Sequence, residues 1–223
     1  MDFIHNEVLE GNKKKNCIKL EYISPSGEPG SERFAAIRGG IAWATDKSPF
    51  FTVILGQPVF DQYAAIKEPS FTLLLERADE SFDLDARYSQ LADDASLFCC
   101  DFYTDFSDKF EADRESYFEY RSKFSQPFGE LIPAPFQGRY RTGVELIKTL
   151  VGRDKLHLPK TSECYSQLSR MSKADLSGKK TSERFWAIEA LRHVVASFKR
   201  DPVIISESNY RSRPEGLNPW MAY

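Results

Sequence analysis

Three carboxylates stand where a folded chain could fix them for metal chemistry. Asp105 ends the apolar run Phe98–Thr104, in the sequence Phe102-Tyr103-Thr104-Asp105. Glu189 follows Phe185-Trp186-Ala187-Ile188 and precedes Ala190-Leu191-Arg192-His193, beside the apolar stripe of a helix. Glu76 closes Phe71-Thr72-Leu73-Leu74-Leu75, with Asp79 close by. Two-metal phosphodiester cleavage needs such acids from different strands and a late helix, converging on Mg2+ or Mn2+ ions about 4 Å apart. Asp105, Glu189 and Glu76 are therefore the candidate catalytic residues. Asp105, Glu189 and Asp46 are the candidate metal ligands. Plainer roles stay open: a cap or turn for Asp105, an ion pair with Arg192 or His193 for Glu189, and turn chemistry for Asp46 and Asp61.

The second half of the chain is locally basic, and Arg139, Arg141, Lys179, Lys180 and Arg184 are the candidate nucleic-acid contacts. Lys and Arg neutralise phosphates, while nearby Phe136 and Tyr140 could stack on bases. A solvated helix surface explains the same residues. The net charge of −3 over 223 residues gives no global attraction for polyanions, so any such site is a local face.

Other chemistries lack their signatures. There is no GxSxG, no CxxC and no GxxxxGK[ST], and the three histidines are scattered. Cys17, Cys99, Cys100 and Cys164 read as reduced core thiols. No stretch reaches the roughly 18 apolar residues of a membrane span, and the expected location is the cytoplasm.

Residues 1–32 read as an arm, with a short strand over Cys17–Ile23. The domain then spans 33–200, and 201–223 form a tail. Phe34–Trp43 and Phe50–Leu55 make a hairpin, and Phe71–Leu75 adds a third strand. Leu84, Tyr88, Leu91, Ala95 and Phe98 recur at helical spacing, and Phe98–Thr104 reads as a buried strand. A helix over 113–124, a short strand at Leu131–Pro135 stopped by its prolines, a helix over Gly143–Val151, an extended Lys155–Pro159 and a helix over Ser162–Ser172 follow. Residues 175–180 read as a loop. Phe185, Ile188, Leu191, Val195 and Phe198 mark a last helix over Ser182–Lys199. Three meander strands followed by alternating β and α is the order of the ribonuclease H fold, an α/β mixed sheet with helices on both faces. A Rossmann domain would need a Gly-rich turn after its first strand, and no GxGxxG is present.

On these residues the chain resembles the nuclease domain of phage terminase large subunits over about residues 33–200. Ala187-Ile188-Glu189-Ala190-Leu191-Arg192-His193 is similar to the family's last helix, and Phe102-Tyr103-Thr104-Asp105 to its acid-ended strand. Gly40-Ile41-Ala42-Trp43-Ala44 to Thr52-Val53-Ile54-Leu55-Gly56 resembles its first hairpin, and Val144–Leu150 with Asp154–Pro159 its helix and short extended piece. The resemblance implies a metal-dependent endonuclease, but its first-strand aspartate falls on Ala42 and its last-helix aspartate on Glu189. The family's preceding histidine becomes Arg184 or Phe185. Three expectations follow. One is a degenerate relative that binds DNA or a phage packaging protein. The second is an active Mg2+- or Mn2+-dependent endonuclease. The third is an unrelated α/β protein-interaction module.

Overall fold

Alternate residues of one central strand enter two different cores. Phe51, Val53 and Leu55 pack in one cluster with Val144, Ile147, Leu168, Ile188 and Leu191. Phe50 and Ile54 pack in another, with Tyr88, Leu91, Phe98 and Phe102. Side chains on a strand point alternately to opposite faces, so this sheet is apolar on both faces and needs helices over each.

The computed structural model describes residues 2–9, 17–43, 49–59, 69–79, 84–105, 115, 119, 128–134, 140–177 and 184–200. Its elements are β1 (Asp2–Leu9), β2 (Cys17–Ile23), β3 (Pro29–Ala42), β4 (Phe50–Pro58), β5 (Phe71–Asp79), α1 (Leu84–Phe98), β6 (Phe102–Thr104), β7 (Leu131–Pro133), α2 (Tyr140–Gly152), β8 (Leu156–His157), α3 (Glu163–Arg170), a 3-10 turn (Ala174–Ser177) and α4 (Trp186–Arg200). The sheet order is β1-β2-β3-β4-β5-β8, with β6 joined to β3 and β7 to β6. Strands β1 to β5 pair antiparallel in sequence order. The β3–β6, β6–β7 and β5–β8 pairings are parallel. The protein is thus an α/β domain on a mixed sheet, with α1 over one face and α2, α3 and α4 over the other.

Strand β3 is the hub. Its first half pairs with β2, and Gly39 and Gly40 pair with Phe102 and Tyr103 of β6 further along. The two glycines make that crowding possible. A Cβ at Gly39 would stand 2.2 Å from Cδ1 of Phe102, and one at Gly40 would stand 2.1 Å from the carbonyl oxygen of Ala190 in α4. Backbone therefore meets ring on one face and backbone meets helix on the other, and a side chain at either position would lift them apart.

Several expectations change in detail. Asp2–Leu9, read as part of an arm, is a strand of the main sheet, the strand expected at Cys17–Ile23 pairs beside it, and β3 starts at Pro29 rather than Phe34. The expected strand Phe98–Thr104 shrinks to Phe102–Thr104, because α1 runs on to Phe98. Cys99 then takes a left-handed turn at φ +49, and the amide of Cys100 donates to the carbonyl of Ala95. Residues 175–180, read as a loop, begin with the 3-10 turn. The last helix is described from Trp186, and its five-residue apolar stripe is buried as expected. The expected helix over 113–124 falls almost wholly outside the described residues, and 201–223 lie outside them. No helix among the described residues is long and apolar enough to cross a membrane.

Candidate functional site

The first turn of α4 crosses β3 where Gly40 leaves room, and it carries Glu189. This carboxylate is only 12% exposed and is held from two sides. Arg192 Nε donates to its Oε2 at 3.1 Å, and Arg192 Nη2 donates to its Oε1. His193 Nε2 lies 3.2 Å from the same Oε1. The spacing is that of helix neighbours three and four residues apart, which places all three heads on one side of α4. Burial pushes the Glu189 carboxyl up, but the hydrogen bonds and charges of His193 and Arg192 outweigh it and hold it at about 2.

The cluster is anchored on both flanks. His193 Nδ1 donates to the carbonyl oxygen of Ile41 at 2.8 Å, which ties α4 to the end of β3. The Arg192 guanidinium lies over the Tyr140 ring at 5.6 Å, and its stem runs against Gly143 of α2. Burial, and then the Glu189 charge, pushes the Tyr140 hydroxyl up. That hydroxyl has no hydrogen-bond partner among the described residues.

Asp105 lies one residue beyond β6. Gly39 and Gly40 pair with Phe102 and Tyr103, so β6 runs parallel beside the last part of β3. Tyr103 faces α4, since Arg38 spans its ring and the carbonyl of Ser197. Helix α4 packs on both β3 and β6. The end of β3 and the start of α4 therefore form one edge, with β6 alongside.

Glu76 belongs elsewhere. Its Oε1 accepts from the amide of Glu163 at 2.6 Å and its Oε2 from the amide of Cys164 at 3.1 Å. It thus caps the start of α3, beside the N-cap Ser162, whose hydroxyl accepts from the Tyr165 amide. Tyr103, Gly40, Val53 and Glu76 form one row across four strands. At about 4.8 Å per strand, Glu76 stands roughly 14 Å from Tyr103, too far to share an ion pair of metals with Asp105. In this structure Glu76 acts as a cap for α3, on a strand two places from the hub.

Asp46, Arg139, Lys179 and Lys180 lie outside the described residues. Arg141 is exposed and pairs with Glu145 at 2.8 Å; Arg184 is exposed and pairs with Asp175 at 3.1 Å. Both stand at helix starts around the Glu189 cluster, Arg141 in the first turn of α2 and Arg184 just ahead of α4. Among the described residues no three His, Cys, Asp or Glu side chains are grouped to hold a metal ion. The donor set at this edge does not suit Mg2+ or Mn2+, because the oxygens of Glu189 already face a guanidinium and an imidazole. Sequence reasoning named the Glu189 pairing as an alternative. It missed the packing of Arg192 against Tyr140 and Gly143 and the His193–Ile41 tie, since contacts between distant segments leave no local signal. Comparison with protein-family models, with curated proteins and with solved structures gives no significant match.

Proposed function

We propose that this chain is a ribonuclease H-like domain, related to terminase nucleases, that binds nucleic acid without cleaving it. The strand order supports the fold. Strands β5-β4-β3 run antiparallel, and β6 and β7 continue parallel to β3 on its other side. That is the arrangement of a meander followed by two crossover strands.

The observation that carries the absence of cleavage is the closure of Glu189 by Arg192 and His193, next to an alanine at position 42. A cation-binding edge needs free carboxylate oxygens, and here the protein supplies its own cations. Nucleic acid is the favoured ligand because Arg141 and Arg184 flank that edge on the surface. Exposed ion pairs are worth only about 0–1 kcal/mol, so a phosphate can displace Glu145 or Asp175.

The test uses supercoiled plasmid and single-stranded DNA with Mn2+. The expected result is no cleavage, with binding that weakens as salt rises. Replacing Arg141 and Arg184 by Gln should flatten the salt dependence by about 0.9 in log–log slope per lost phosphate contact. Cleavage that disappears in Asp105→Ala would instead establish an active endonuclease. Neither binding nor cleavage would leave a protein partner, such as a packaging protein, as the ligand class.

A further inference from the structure

The outer strand β1 has a chemistry that matches itself. Among the described residues the exposed large hydrophobic side chains are Ile4, at 58%, and Val8, at 43%, and both lie on β1. Within the described sheet β1 pairs only with β2, so it forms one end of the strand order. An eight-residue edge strand without proline is a template for further pairing.

The pairing with β2 sets which residues share a face. From His5 to Leu9 the register is regular: His5 faces Glu21, Asn6 faces Leu20, Glu7 faces Lys19 and Val8 faces Ile18. Asn6 and Val8 therefore look toward the α1 side, where Asn6 Nδ2 donates to the carbonyls of Ser96 and Leu97. His5 and Glu7 look to the other side, where Lys19 Nζ lies 3.9 Å from Glu7.

We propose that β1 pairs antiparallel with β1 of a second copy of this chain, about a two-fold axis at Asn6. Opposed residues in such a pair must share a face, so the axis can pass only through a residue position, not between two. An axis at His5 would set His5 against itself, and one at Glu7 would oppose two carboxylates. The axis at Asn6 sets His5 against Glu7 of the other copy, twice. Each row then reads Glu21, His5, Glu7, Lys19 across the junction, so each carboxylate faces a side chain that can donate to it. Ile4, at the bulge between Phe3 and His5, comes opposite Val8. Opposed charges and opposed apolar groups are the units of stability between strands.

Sedimentation of the full chain over a concentration series tests this. The native chain should pass from monomer to dimer. His5→Glu opposes two carboxylates across the junction, and Glu7→Lys opposes lysine to histidine. Each should raise the dimer Kd about tenfold or more while thermal melting shows the fold intact. Mixing the two variants restores opposite charges at both contacts, so the mixture should form a heterodimer that neither variant forms alone. A native chain that stays monomeric at every concentration overturns the proposal. So does a dimer that both substitutions leave unchanged, since another face would then be responsible.

Discussion

His193 and Ile41 are joined by a hydrogen bond of 2.8 Å from an imidazole nitrogen to a strand carbonyl, across 152 residues of sequence. A carbonyl only accepts, so Nδ1 carries a proton. Nε2 then accepts from Arg192 Nη2 at 3.2 Å when the ring is neutral, or donates to Glu189 when it is charged. In both states the ring fixes the first turn of α4 to the end of β3. Replacing Glu189 by Gln removes the carboxylate charge that pairs with Arg192, which is 3% exposed. Breaking a buried pair by removing one partner costs about 3–5 kcal/mol. Denaturant unfolding of Glu189→Gln should show a loss of that order. Adding Arg192→Met to it should recover part of the loss, because the stranded charge is then gone.

The same pair links stability to acid. Glu189 is held at about 2, below its ordinary 4.5. The unfolded chain therefore takes up this proton first as pH falls. The stabilisation is complete above pH 4.5 and is lost as pH falls through 4.5 toward 2. A shift of this size corresponds to an order-of-magnitude figure of about 3 kcal/mol at neutral pH. Urea midpoints measured from pH 5 down to pH 2 should fall more steeply for the native chain than for Glu189→Gln. Parallel acid limbs in the two proteins would contradict the assignment.

Glycines in α2 separate packing from propensity. A Cβ at Gly143 would stand 2.4 Å from Cγ of Arg192, whereas one at Gly152 would meet nothing within 4 Å. Both sit in the same helix, where alanine is intrinsically better than glycine by about 1 kcal/mol. Gly152→Ala should therefore raise the unfolding free energy by about 0.5–1 kcal/mol. Gly143→Ala should lower it by about 1–3 kcal/mol, because the Arg192 stem is pinned between Tyr140 and Glu189 and cannot step aside. Thermal melting of the two variants gives shifts of opposite sign if the packing is as described.

Local patterns were legible and distant meetings were not. The stripe from Phe185 to Phe198 needs only a helical period, and every member of it is buried. The run Phe50–Leu55 declared a strand by its β-branched and aromatic content, closed at Gly56. Phe98–Thr104 misled because a helix end and a short strand are separated by one charged residue alone, Asp101. The buried residues Phe98, Cys99, Cys100 and Phe102 look continuous in sequence although the backbone turns at Cys99. Asp2–Leu9 was missed because its alternation is broken by the bulge at Ile4 and its side chains are half exposed. At the candidate site, Glu189 could be named and its i+3 and i+4 partners weighed, since those contacts are local. The capping contacts of Glu76 left no signal because its partners lie 87 and 88 residues away.

Glu76 provides the last test, because a cap and a metal ligand respond differently to the same change. Its two oxygens each accept a backbone amide at the start of α3, where the helix dipole also favours negative charge. Glu76→Gln keeps one acceptor and loses the charge; Glu76→Ala loses both. Capping substitutions of this kind cost about 0.5–2 kcal/mol, and charged acceptors stand at the upper end. Unfolding by urea should therefore rank native above Glu76→Gln above Glu76→Ala. Addition of Mn2+ should shift all three midpoints equally, since the roughly 14 Å across the sheet keeps this carboxylate away from Asp105. A Mn2+-induced stabilisation present in the native chain and missing in Glu76→Ala would reverse the assignment and make β5 part of a metal site.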